Sequence, residues 1–176
     1  MAEFSRKAQK NGEFYTPDFP LFYNIIKAML DSEDGNEKYK INTVLGKLVR
    51  EKNIMTLTKI PYKTKKRDRI IHNYGMDDSY FGEVDFVGMN DYIKNLSDVE
   101  VYQTLLGTKD SISEIDFIVK WISGRDTYIY RPNSKPDNLD ERIGGFGSGY
   151  VTTGFGFYQN PNDAYWSLGI RPSREN

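Results

Sequence analysis

The sequence predicts an α+β protein, with about four helices packed on short antiparallel strands and a Gly/aromatic-rich C-terminal β-hairpin. Three observations predict it. Phe22, Ile25, Ile26, Met29 and Leu30 recur at the three- and four-residue spacing of a single apolar helix face. Two Ser-x-x-Glu boxes, Ser97 to Glu100 and Ser111 to Glu114, open further helices, because Ser and Glu there satisfy each other's orphan backbone donors. Between these regions the period changes to two: Met55, Leu57 and Lys59 alternate with Thr56, Thr58 and Ile60, as in a strand.

The elements follow in order. Residues 1–14 are charged and polar and read as an N-terminal arm; residues 15–176 read as one α+β domain. Within it a winged-helix-like part, 15–75, precedes an acidic helical and β part, 76–176. Asp18, just before Phe19 and Pro20, caps the first helix. The polar run from Asp31 to Asn36 ends that helix. A second helix, capped by Asn42 or Thr43 and carrying Val44, Leu45, Leu48 and Val49, runs to about residue 53. The strand from Met55, a basic turn from Pro61 to Asp68 and a returning strand from Arg69 to Tyr74 give the order of a winged-helix tail. An acidic turn, 75–82, leads into a short strand from Glu83 to Val87. The two boxed helices stop at Gly107 and Gly124. The second buries Ile115, Ile118, Val119 and Ile122, widened by Phe117 and Trp121. Everything after Gly124 reads as β or loop: a strand over 127–131, an exposed loop over 133–142, and strands 150–158 and 165–170 joined by the turn formers of 159–163.

Composition bounds the chemistry. The 176 residues are 38% hydrophobic and 14% aromatic, enough to bury a sizeable core. There is no cysteine, which excludes disulfides, thiolate catalysis and Cys-containing zinc sites. No stretch approaches the length of a membrane span, and the polar N-terminus lacks the apolar core of a secretory signal. The expected location is the cytoplasm, or the virion if the chain comes from a phage. Net charge is -1, yet it is segregated. Residues 38–71 hold eleven Lys/Arg against Glu51 and Asp68, a net of +9, and residues 77–116 hold ten acids against Lys94 and Lys109, a net of -8. Either the two blocks neutralise each other within the chain, or they occupy opposite faces and copies meet head to tail, as in rings and filaments.

Each candidate site has a plain structural alternative. His72, the only histidine, has no titratable neighbour required by sequence and reads as a strand residue on the polar face. Gly144, Gly145, Gly147 and Gly149 lack phosphate-loop spacing, and Ser148 lacks the flanking glycines of a nucleophile elbow, so these glycines serve close approach by rings or backbone. Asp137, Asp140 and Glu141 resemble a calcium loop, but Arg142 stands where that loop needs glycine. Asp77 and Asp78 read as turn residues. No cofactor, metal or catalytic residue is expected. The partner-binding candidates are Lys63, Lys65, Lys66, Arg67 and Arg69 on the basic turn, suited to phosphate or to an acidic protein face. The other candidates are Phe155, Phe157, Tyr158, Tyr165 and Trp166, whose rings could contact a subunit or stack on a sugar. They lie in a run, 143–170, with seven glycines, seven aromatics, no lysine and one acid, Asp163.

The ending from Ser167 to Pro172 resembles the last strand of C-type-lectin-like repeats in bacterial surface proteins, which close on Gly-x-Arg-Pro. With its arm, small mixed core, aromatic β-extensions and segregated charge, the chain as a whole resembles the small virion proteins of tailed bacteriophages. That resemblance implies a non-enzymatic structural subunit, such as one in a head–tail connector ring, forming a homo-oligomer and contacting other subunits. The alternatives are a winged-helix-like nucleic-acid-binding or regulatory protein and a carbohydrate-binding module. No membrane partner is expected.

Overall fold

In the computed structural model, residues 2–52, 54–63, 65–84, 92–93, 99–130, 137–148, 153–159 and 169–170 are described. Among the described residues five helices and seven strands make an α+β fold. In chain order they are α1 (Ala2–Lys10), α2 (Phe19–Asp31), α3 (Gly35–Glu51), β1 (Ile54–Tyr62), β2 (Asp68–His72), β3 (Tyr80–Val84), β4 (Tyr92–Ile93), α4 (Val99–Leu106), α5 (Ile112–Ser123), β5 (Thr127–Tyr130), β6 (Asp140–Ser148) and β7 (Thr153–Gln159). The sheet order is β3-β2-β1-β6-β7-β5-β4. The run from β3 to β7 is antiparallel throughout; β5 then joins β7 in parallel, and β4 pairs antiparallel with β5.

Helix α2 starts where the sequence predicts. The Asp18 carboxylate accepts from the Leu21 N–H at 2.8 Å, and Pro20 sits in the first turn, where its missing N–H removes no helical bond. Helix α5 carries the expected capping box of Ser111 and Glu114 and ends at Gly124, whose φ of 70° is the left-handed geometry that glycine adopts freely. Its stripe of Ile115, Ile118, Val119 and Ile122 is buried, whereas Phe117 is 63% exposed and does not widen it.

Helix α3 begins well before Asn42. Asp34 caps it, accepting from the Asn36 and Glu37 N–H groups. Asn42 instead donates to the Trp121 carbonyl at 2.6 Å, and Thr43 back-bonds to the Tyr39 carbonyl. Mid-helix, Gly46 faces α5 so closely that a Cβ there would lie 2.6 Å from the Ile122 carbonyl oxygen. The chain's first residues are also more ordered than an arm. Residues 2–10 form α1, with Ser5 and Ala8 buried, the Ser5 hydroxyl accepting from the Thr16 N–H at 3.1 Å and Lys10 paired with Asp77 at 2.9 Å. Strand β3 covers 80–84 and so begins before Glu83, because His72 pairs with Tyr80 and Ile70 with Gly82; residues 85–87 of the expected strand lie outside the described residues.

One hydrophobic cluster runs from Phe19 to Phe157 and takes side chains from α2, α3, α4, α5 and five strands. At its centre are rings. Phe19 meets Phe155 edge-on at 5.2 Å and Phe157 at 5.9 Å, and Phe146 contacts both Phe155 at 4.8 Å and Phe22 at 5.4 Å. The Phe19 ring lies against the backbone of Gly144, where a Cβ would come within 2.5 Å of it. Residues 143–148 of the glycine-rich run thus belong to a central strand, β6, and the sequence-based expectation of an exposed loop reaching residue 142 is corrected from Asp140 onward. β1 lies between β2 and β6, so the basic hairpin is sheet interior at its base and not the free wing of a winged helix. Among the described residues no helix is long and apolar enough to cross a membrane.

Candidate functional site

The basic turn is built by two strand ends that are pinned below it. Tyr62, the last residue of β1, is buried and donates its hydroxyl to Asp140 at 2.7 Å; burial, then this bond, pushes the phenol up to about 12. Asp140 also accepts from Arg142 at 2.8 Å. Asp68, the first residue of β2, is buried on the other side of the turn. Between them Lys63 is half-buried, whereas Lys65, Lys66 and Arg67 are exposed. The Lys66 N–H reaches the Lys63 carbonyl at 3.4 Å, and Lys65 takes the left-handed φ of 62°.

The five cations divide. Arg67 lies 3.8 Å from Glu100 on α4, and Arg69 lies 3.7 Å from Glu83 on β3 with its guanidinium 3.7 Å from the centre of the Phe81 ring. Two members of the basic block therefore meet the acidic block within the chain, which is part of the neutralisation the sequence allowed. Both pairs are largely exposed, so their net contribution is small, about 0–1 kcal/mol each. Among the described residues Lys63 and Lys65 have no ion-pair partner.

The aromatic candidates fare differently. Phe155 is 2% exposed and Phe157 1%, both in the core. They are not contact residues, and no sugar can stack on them. The reason is topological: β7 is flanked by β6 and β5, so its inward rings meet α2 and not solvent. Tyr158 lies on β7 beside Phe157, while Tyr165 and Trp166 fall outside the described residues. The strand expected over 165–170 is described only at 169–170, where Ile170 pairs with Tyr15.

His72 is also not where the pattern placed it. It is 1% exposed, on the buried face of β2 and against α4. Its Nδ1 accepts from the Thr58 hydroxyl at 3.1 Å, the same Thr58 oxygen accepts from the Phe19 N–H at 2.9 Å, and its Nε2 donates to the Thr104 carbonyl at 3.1 Å. Both ring nitrogens are thereby used by a neutral imidazole. Burial lowers its pKa from 6.5 to about 4. Between these values the unfolded chain binds a proton that the folded chain refuses, so stability falls as pH drops through 6.5 and the loss levels off near 4. Chemical denaturation is expected to show a loss on the order of 2 kcal/mol between pH 6.5 and 5, and His72→Gln is expected to flatten that slope. An unchanged slope in the variant would remove His72 from this role.

The remaining carboxylates join elements. Asp110 accepts from the Tyr23 hydroxyl at 2.7 Å and from Lys27 at 2.8 Å; burial works against its charge, but these bonds outweigh it and hold the carboxyl below its usual range. Asp18, nearly buried at the start of α2, is raised by desolvation despite bonds from Leu21 and Tyr80. Asp77 pairs with Lys10, Asp78 accepts from Asn73, and Glu141 pairs with Lys59 at 2.8 Å. Among the described residues no three of these groups converge as a metal site would require. Sequence reasoning missed an apolar groove between α2 and α3, where Val44 is 64% and Leu48 39% exposed. The signal was present, since the α3 stripe is broader than one core contact can cover. No protein-family model matches the chain, and no curated protein or solved structure is detectably similar to it.

Proposed function

We propose that the protein is a non-enzymatic assembly protein, a subunit of a larger particle such as a phage connector ring, and that the basic β1–β2 turn is a contact through which it meets its neighbours. The observation that supports this reading most is the turn itself. Lys65 and Lys66 are exposed above a base fixed by Tyr62, and the adjacent Arg67 and Arg69 lie beside carboxylates of the acidic block. The same chemistry offered to an acidic face of a second copy gives a head-to-tail contact, which closes into a ring if the rotation allows.

The exposed Lys65 and Lys66 fit phosphate equally well, which is the basis of the second reading, a nucleic-acid contact. One variant separates the two. Replacing Lys63, Lys65 and Lys66 with Ser is expected to lower the solution mass measured by light scattering at low salt. The effect should shrink at high salt, where exposed charges are screened. If the variant keeps the wild-type mass but loses salt-dependent retention on DNA, the nucleic-acid reading replaces assembly. If mass and retention are both unchanged, the turn has neither role.

A further inference from the structure

We infer that the groove between α2 and α3 binds an aliphatic carboxylate, a hydrocarbon chain with a single anionic head. The groove measures about 450 Å³, within the usual range of about 300–1,000 Å³ for small-molecule sites. Ile25 and Met29 of α2 form one wall, Val44 and Leu48 of α3 the other, and Ile170 also lines it. Ile170 is held there by reciprocal backbone bonds with Tyr15, each 2.8 Å.

Charge chooses the ligand. Among the described residues Lys40 is the only charged one lining the groove, and it has no ion-pair partner among them. An apolar trough with one uncommitted cation suits a ligand with an apolar body and one negative end. A sugar or nucleotide would leave its polar groups unbonded against these walls. A polyanion would find one cation where it needs several. A neutral hydrocarbon would fill the trough and leave Lys40 unused.

The test uses decanoate and, in parallel, the alcohol of the same chain length, titrated calorimetrically into the full chain. Decanoate is expected to saturate one site. Val44→Asp, at an exposed position where the fold does not depend on the side chain, is expected to weaken decanoate about tenfold or more. Lys40→Met keeps the apolar stem and is expected to weaken decanoate about fivefold while leaving the alcohol unchanged. Absence of saturable binding, or equal binding by Val44→Asp with unchanged thermal unfolding, overturns the site. Equal decanoate binding by Lys40→Met overturns the carboxylate class. Self-association that Val44→Asp abolishes and decanoate does not compete with assigns the groove to a second copy of the chain and overturns the ligand.

Discussion

Phe155→Ala is expected to lower the unfolding free energy by about 3–5 kcal/mol, the range for truncating a fully buried phenylalanine. The high end is favoured by what the ring touches. Phe155 lies 5.2 Å from Phe19 and 4.8 Å from Phe146, so its loss removes two ring contacts as well as buried area. Neither neighbour can collapse into the space: Phe19 is fixed by the Asp18 cap and the Thr58 bond to its N–H, and Phe146 by its strand. Urea denaturation measures the change. A midpoint near wild type would mean that β7 is not part of the core, and would return Phe155 to the contact surface that the sequence suggested.

Gly46→Val is expected to cost about 2–3 kcal/mol. Two effects compete here. Glycine is among the poorest helix formers, so most replacements inside α3 favour the helix by up to about 1 kcal/mol. Against this, the new Cβ would sit 2.6 Å from the Ile122 carbonyl oxygen, and backbone cannot rotate aside. The close approach of α3 to α5 wins, and the two helices must separate, which strains the Asn42 bond to the Trp121 carbonyl. Gly35→Ala, at the start of the same helix with open space around its Cβ, is the control and is expected to be neutral or stabilising. Equal stability of Gly46→Val and Gly35→Ala would contradict the tight packing of α3 on α5.

Where local chemistry suffices, the fold was legible in the sequence. Asp18 and Ser111 announce their helices because a cap is a contact within one turn, and β1 and β2 show because their alternation needs no partner. The start of α3 was hidden by Gly35 and Asn36, poor helix formers whose cost is offset by the Asp34 carboxylate on two backbone donors. Helix α1 buries Ser5 and Ala8, side chains too small and too polar to leave an apolar signature. In β6 the strand signal is absent because Gly144 and Gly145 carry no side chains; what they accommodate, the Phe19 ring and Met55, comes from elsewhere in the chain. His72 was misplaced for a related reason, since the Thr58 and Thr104 groups that satisfy it are brought there only by the tertiary fold. The basic turn was legible because it is a run of residues. That Arg67 and Arg69 meet carboxylates of α4 and β3 was not, because such pairs are set by topology.

The molar mass of the full chain by light scattering, at low and high salt, tests the assembly reading most directly. A closed oligomer at low salt, shifting toward the 20.4 kDa chain as salt screens the basic turn or as Lys63, Lys65 and Lys66 are replaced by Ser, is the expected result. A monomer at every concentration and salt would contradict it.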